Sequence, residues 1–451
     1  MRTLLYSTLI ALYMLSQFVP LLALNYTIGV IAIVALIFSF FHTKGLYRIT
    51  GLIFLTLGVI LFVFNGLPWY TFLLHFQSML GLLSLFLVLP FINSLIRIGR
   101  YDKSLSQLLR DRVTRFTTLY KRSFLVSHFL GVFLNMATLP LLIGSLKPSL
   151  QAFSEEMKNK YFCTNLLRAY AICLTWSPME VLVSRAIDIT GASYHFILPI
   201  VLGIVVIAIA VDFAISGFTY KNLPLTIEVA QEINYKNVYK KVAQMLGMLI
   251  VFVLVVSWIQ QTLEKGFLFS VVLLLIPFSI LWSVMIKKTK SYLRVTIPYW
   301  KQRTKGLADY FFMFLSAGLF VGVLSISGLL SFLQPIIQEA AETPILLYLL
   351  IAGYYLLTSF LGFHPLISLT LLAEFLVPIL PHVATLPLAV VLITCGLATV
   401  MYSPFNLSVS LMANELKVNP FRITGWNVGF AVCFMLISIA VAFGVEKIFY
   451  S

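Results

Sequence analysis

Thr399-Val-Met-Tyr-Ser403-Pro404-Phe-Asn406-Leu-Ser408-Val-Ser410 closes a long apolar run with a Ser-Pro and sets polar side chains directly after it. A twin stands 226 residues earlier: Cys173-Leu-Thr175-Trp-Ser177-Pro178-Met-Glu180-Val-Leu-Val-Ser184. Carried on without a gap, the same offset pairs Ser184 with Ser410, Ile197 with Ile423 and Gly203 with Gly429. Proline has no backbone N–H and its ring clashes with the preceding turn, so each apolar segment is expected to break there. Inside hydrocarbon a broken backbone persists only where protein or a water-lined cavity satisfies the freed groups. Two such breaks in matching positions of two half-chains point to a transporter's central binding site.

The surrounding composition sets the class. Of 451 residues, 60% are hydrophobic and only 10% charged, with a mean hydropathy of +0.99. A soluble surface needs far more charge. Apolar runs long enough to cross a hydrocarbon core of about 30 Å recur along the chain, and the alternating pattern of a transmembrane β-barrel is absent. The expected fold is an all-α polytopic membrane protein with about 10–12 spans in two structural repeats containing broken or re-entrant helices. The formal charge of +15 comes from basic residues gathered in short connectors, which is the positive-inside signal and not a nucleic-acid surface. Cys163, Cys173, Cys395 and Cys433 lie in or beside apolar runs without metal-ligand spacing. They read as small hydrophobes, so no disulfide framework, metal site or cofactor is expected.

Taken in order, residues 1–217 form the first repeat, 218–243 a linker and 244–451 the second repeat. The opening apolar run, about 4–24, is long for a signal peptide and reads as a retained first helix. Residues 94–123 carry eight Lys and Arg against Asp102 and Asp111, with Leu and Ile interleaved. This predicts a cytoplasmic amphipathic helix on the anionic leaflet. Residues 124–146 read as a span, and the nearly neutral connector with Glu155, Glu156, Lys158 and Lys160 is expected outside. Charge counting then asks the broken element 161–192 to be a re-entrant hairpin or a helix-break-helix. The second repeat has broken elements at 345–381, interrupted at Gly362-Phe-His364-Pro365, and at 385–415. Charge counting leaves open whether the repeats are inverted or parallel.

The candidate chemistry lies at the breaks. Glu180, Ser184 and Asp188 in the first half, and Asn406, Ser410 and Asn414 in the second, recur every four residues and so share a helical stripe. Hydroxyls, amides and the start of a half-helix can replace an anion's hydration shell, and exposed carbonyls can hold sodium. The plainer reading is that serines and a proline kink a packed helix. Arg168, within an apolar run, is placed to pair an anionic solute or Glu180, or else to snorkel to the interface. Asn135 and Thr138 precede a leucine-rich run at an offset of 227 from Gly362 and Pro365. Glu374 and His364 are candidates for proton coupling, with Asn414 as a further ion-coupling position. His364 also reads simply as part of a helix break.

The motif Ser403-Pro404-Phe-Asn406-Leu-Ser408-Val-Ser410-Leu-Met-Ala-Asn414-Glu415 resembles the broken elements of the ion transporter superfamily, which includes TRAP-type membrane subunits, gluconate permeases, and arsenite and dicarboxylate carriers. That resemblance implies a two-repeat secondary carrier with scaffold helices and paired hairpins. It also implies that Ser177, Pro178, Ser403, Pro404 and Asn406 stand at the site of an organic or inorganic anion driven by sodium or protons. The Ser-Asn-Thr signature of the dicarboxylate carriers is absent.

The function expected is therefore secondary active transport of a small, anionic solute by alternating access, coupled to H+ or Na+. The alternative is a flippase or a membrane enzyme acting on a lipid-linked substrate. No soluble-enzyme motif such as GxSxG, HExxH or GxxxxGK[ST] occurs. The expected setting is multi-pass in the bacterial cytoplasmic membrane, with bilayer lipid and a small-molecule solute as partners, a homodimer as the candidate assembly, and no nucleic acid.

Overall fold

The computed structural model describes residues 2–110, 113–221, 223–227, 234–329 and 331–450. Asp111 and Arg112 of the basic segment, and residues 222 and 228–233 of the linker, lie outside the described residues.

Helices dominate. In the first part of the chain they are α1 (Arg2–Ser16), α2 (Leu22–Phe40), α3 (Gly45–Phe64), α4 (Leu80–Ile98), α5 (Tyr101–Ser106), α6 (Phe116–Leu134), α7 (Thr138–Leu146), α8 (Glu155–Leu174), α9 (Val181–Thr190) and α10 (Tyr194–Thr219). Two short strands, β1 (Val113–Arg115) and β2 (Pro224–Ile227), pair antiparallel. Then follow α11 (Tyr235–Leu263), α12 (Phe267–Met285), α13 (Thr289–Lys305), α14 (Ala308–Ser327), α15 (Gln334–Ala341), α16 (Pro344–Phe360), α17 (Pro365–Leu376), α18 (Thr385–Tyr402), α19 (Leu407–Leu416) and α20 (Pro420–Phe449). Among the described residues, eleven segments are long and apolar enough to cross a membrane by length and composition.

Residues 94–123 are not one amphipathic helix. Gly99 ends α4, Arg100 takes a left-handed φ of 58°, and the chain restarts as α5 before turning into β1. The pairing of β1 with β2 takes up the backbone groups that a helix would have satisfied internally. Its basic side chains therefore sit on different elements, Arg97 on α4, Lys103 on α5, Arg115 on β1, and Lys121 and Arg122 on α6.

By packing, the chain divides into two compact units. One comprises residues 1–94, 268–342 and 370–379, the other 95–267, 343–369 and 380–451. Each draws on both sequence halves. In the first unit α3 runs along α14 at a close approach that glycine permits: a Cβ at Gly51 would stand 2.5 Å from the Phe312 ring, and one at Gly58 3.0 Å from Leu319. Tyr6 stacks on Phe311 at 3.9 Å and shares a 2.7 Å hydrogen bond with Ser39, which joins α1 to α2.

The second unit holds α6–α7, the breaks between α8 and α9 and between α18 and α19, and α16 with the turn at His364-Pro365. The 226-residue offset survives as geometry. It carries the start of α9 (Val181) onto that of α19 (Leu407), and the end of α9 (Thr190) onto Leu416. It carries the first residue of α10 (Tyr194) onto that of α20 (Pro420), and the last of α6 (Leu134) onto that of α16 (Phe360). Gly191 and Lys417, also equivalent, both close their helices with left-handed φ values of 68° and 54°.

The path of the chain corrects two expectations. Phe116 at the start of α6 meets Phe153, just beyond α7, at 5.0 Å. The stretch 124–146 is therefore no span: α6 and α7 form a hairpin that returns to the end it left, and the connector 147–160 lies at the same end as residue 116. Phe116 also meets Tyr161 near the start of α8 (5.1 Å) and Tyr220 just past α10 (4.8 Å). The pair α8–α9 thus leads away from that end and α10 returns to it, so 161–192 is the helix-break-helix form and the re-entrant element is the one before it.

The repeats are inverted. Glu156 in the first turn of α8 pairs with Arg422 in the first turn of α20, and Trp426 of α20 shares a pocket with Tyr220 at the end of α10. Equivalent helices α10 and α20 therefore run in opposite directions, one ending where the other begins.

Candidate functional site

Each Ser-Pro does what its chemistry requires. α8 stops at Leu174 and α9 starts at Val181, while α18 stops at Tyr402 and α19 starts at Leu407. Ser177, Pro178, Ser403 and Pro404 are buried. The two breaks belong to one packed cluster: α18 lies along α8 and α9, and α19 against α8 and α7. At the crossing, a Cβ on Gly396 of α18 would stand 2.9 Å from Leu182 of α9 and 3.1 Å from the Tyr355 ring of α16. Glycine lets these helices approach so closely without displacing either neighbour.

The freed backbone groups are satisfied by protein, in the same way in both repeats. The Ser403 hydroxyl donates to the Ser359 carbonyl at 2.9 Å, and the Ser177 hydroxyl to the Val132 carbonyl at 3.4 Å. Both acceptors lie in the last turn of a hairpin's first helix, where carbonyls lack intrahelical donors. The carbonyl before each Ser-Pro is also capped from the following long helix. The Tyr194 hydroxyl donates to Trp176 and the Thr424 hydroxyl to Tyr402, both at 2.6 Å. Ser408 donates to the Val400 carbonyl at 2.5 Å. At these carbonyls protein hydroxyls, not a water-lined cavity, supply the donors.

In the first repeat a polar cluster lies where the hairpin tip meets the break. Asn135 holds a left-handed φ of 51° between α6 and α7. Its amide oxygen accepts from the Tyr170 hydroxyl and, at 2.7 Å, from the Met136 amide. Glu180 stands at the N-cap of α9, against the Asn135 side chain and the first amides of that helix. Thr138 is fully buried, and its hydroxyl has no hydrogen-bond partner among the described residues. In the second repeat, Asn406 occupies the position equivalent to Glu180 and caps α19, accepting from the Ser408 amide at 3.1 Å. The first-repeat cluster offers carboxylate, amide and hydroxyl oxygens beside the start of α9, and the second repeat an amide oxygen at the start of α19, groups of the kind that bind a small ion or the polar end of a solute.

The remaining candidates separate. Ser184 turns back to the Pro178 carbonyl at 3.5 Å, and Ser410 is half-buried, its amide bonded to Asn406. Asp188 accepts from the Phe267 amide at 2.5 Å. Asn414 is exposed near the end of α19. His364 caps α17, its Nδ1 accepting from the Leu366 amide at 3.3 Å. Glu374 is half-buried in the third turn of that helix.

Arg168 pairs neither with Glu180 nor with open solvent. Its guanidinium donates to Asp212 at 2.8 Å, to the Asn427 amide oxygen at 3.0 Å and to the Trp426 carbonyl at 2.8 Å, and it packs over the Phe430 ring at 4.6 Å. Asp212 is fully buried. A carboxylate in the apolar run 194–217 was a visible signal, since intramembrane charge defaults to function. Its partnership with Arg168, 44 residues away, was not, nor was that of Asn427.

No protein-family model matches this chain, and no curated protein matches it by sequence. Solved structures do. The chain is similar to the YdaH transporter of Alcanivorax borkumensis, at 12% identity over 89% of this chain and 99% of that one, with a TM-score of 0.60. The two chains share a fold. The chain is also similar to MtrF of Neisseria gonorrhoeae, described as illuminating a class of antimetabolite efflux pumps, at 12% identity over 87% of this chain and 94% of that one, with a TM-score of 0.50. At such identity the likeness is one of fold. It does not reach the ion transporter superfamily that the Ser-Pro motif resembles.

Proposed function

We propose that this protein is a secondary active transporter that moves a small, anionic solute across the cytoplasmic membrane by alternating access, coupled to H+ or Na+. The observation that carries the reading is the packing of two Ser-Pro breaks, equivalent under one offset and set in inverted repeats, into one cluster. Inverted repeats give a carrier two mirror-related conformations at similar free energy, one open to each side. In this reading the present conformation is closed. The hydroxyl bonds from Ser177, Ser403, Tyr194 and Thr424 are then those that opening exchanges for water or solute. Asn406 and the α19 start face the anionic end of the solute, while Glu180, Asn135 and Thr138 hold the coupling cation; His364 and Glu374 remain candidates for a proton path.

Transport accounts for these features without catalysis. The basic residues gathered at the end where α6 and α8 start and α10 finishes, among them Arg115, Lys121, Lys147 and Lys160, favour a cytoplasmic position for that end by the positive-inside rule. Export is the direction to test first, since MtrF is described as an efflux pump. The experiment is uptake and counterflow in proteoliposomes with imposed sodium and proton gradients, using a panel of aromatic and aliphatic carboxylates. Gradient-driven flux of one class supports the proposal; no flux of any member under any gradient contradicts it.

A further inference from the structure

Away from the breaks, the start of α8, the end of α10 and the start of α20 enclose a pocket of about 240 Å³. We propose that this pocket binds a monovalent oxyanion, a carboxylate or a phosphodiester, between Lys160 and Arg168. The inference does not rest on the transport reading. It rests on how charge is distributed around the cavity.

The neighbouring acids are already engaged. Glu155 holds Lys158 at 2.6 Å, Glu156 holds Arg422, and Asp212 holds Arg168 at 2.8 Å. Lys160 is exposed on the pocket wall and has no ion pair among the described residues. With Arg168 balanced by Asp212, one positive charge is left over, which one negative charge on a guest would match. Arg168 also keeps donors in reserve. A guanidinium carries five N–H groups, and three are used, on Asp212, Asn427 and Trp426. Those bonds and the Phe430 ring fix its position, so little side-chain freedom is lost when a guest arrives. Thr164, Ser216 and Tyr220 add hydroxyls to the wall, and Trp426 an aromatic surface.

The internal repeat sharpens the point. The residues equivalent to Lys160, Arg168 and Asp212 in the second half are Leu386, Thr394 and Ser438. Helix packing in this architecture therefore does not require the charged group, since the other repeat forms the same helices without it. A charge placed at only one of two equivalent sites, beside a cavity, is a specialisation for binding.

The anion has two possible sources, a dissolved solute and an anionic lipid headgroup, and one experiment separates them. The purified full-length protein is placed in phosphatidylcholine nanodiscs with and without phosphatidylglycerol, and each preparation is titrated with sodium benzoate and with inorganic phosphate while the unfolding temperature is followed. The expected result is a rise in unfolding temperature with one source, an apparent affinity about tenfold or more weaker in Lys160→Gln, and retention of both in Lys160→Arg. A Lys160-dependent rise with benzoate or phosphate assigns the pocket to a dissolved anion, and one with phosphatidylglycerol assigns it to lipid. Stabilisation that is the same in Lys160→Gln as in the wild type, or none from either source, overturns the proposal. Lys160 is exposed, so the unliganded stability of the variant checks that its fold is unchanged.

Discussion

The Ser403 hydroxyl donates to the main-chain oxygen of Ser359 at 2.9 Å, and the equivalent Ser177 donates to Val132 at 3.4 Å. One residue type thus serves two needs at each break. The Ser-Pro ends its own helix, and the serine hydroxyl satisfies a carbonyl at the end of the hairpin helix beside it. A hairpin tip and a broken helix are tied together by the same side chain.

Removing that tie has a predictable cost. Ser403→Ala leaves a buried carbonyl without a donor, worth about 1–3 kcal/mol, and the unfolding temperature should fall. Ser403→Thr keeps the hydroxyl and should recover most of the loss. Ser177→Ala should cost less, because its bond is longer. Thermal unfolding of the three purified variants checks the ranking.

Arg168 and Asp212 form a buried pair, and breaking one side strands a charge in the protein interior. Arg168→Leu or Asp212→Leu alone should destabilise the protein by about 3–5 kcal/mol. The double variant should be closer to the wild type than either single one, because replacing both partners by apolar groups removes the unpaired charge. Unfolding measurements on the four proteins give the coupling directly.

Gly396 sets the distance between the two broken elements. Gly396→Val must push aside Leu182 and the Tyr355 ring, at a cost of about 1–3 kcal/mol. Gly396→Ala should be milder, since the nearest atom is the mobile end of Leu182. The expected outcome is graded loss of unfolding temperature, with transport lost more steeply than stability.

The inverted path can be read by labelling. In a background without the four native cysteines, His195→Cys and Phe421→Cys occupy equivalent exposed positions at the starts of α10 and α20. They should react with a membrane-impermeant thiol reagent from opposite sides. Thr114→Cys and Lys147→Cys flank the first hairpin and should react from the same side.

Much of this was legible from residues alone, for a physical reason. The Ser-Pro pairs at 177–178 and 403–404 mark the breaks, where proline alone would not, since Pro90, Pro199 and Pro277 lie inside the unbroken α4, α10 and α12, and the constant offset between the two pairs is a property of sequence. The interruption at His364-Pro365 was readable in the same way. The first hairpin was not. Phe116 to Leu150 is long and apolar enough to pass for a span, and only the meeting of Phe116 with Phe153 shows that it turns back. Charge counting left 161–192 as a re-entrant hairpin or a helix-break-helix, and it takes the second form. The basic run at 94–123 misled for a related reason: its composition suits an amphipathic helix, but Gly99, the left-handed Arg100 and the pairing of β1 with β2 divide it. The stripe of four-residue spacing held Glu180 and Asn406 at the breaks but carried Asp188 and Asn414 away from them, because each helix of ten residues rises about 15 Å from its start.

The most direct test of the transport reading is gradient-driven flux through the double variant Glu180→Ala, Asn406→Ala, whose two substitutions remove the equivalent polar groups at both helix starts. With a substrate identified for the wild type in proteoliposomes, the predicted result is a loss of flux of about a hundredfold or more, roughly 2.7 kcal/mol, in a protein that still folds and inserts. Flux at the wild-type rate would contradict it, since the solute would then be crossing by a route that the two breaks do not form.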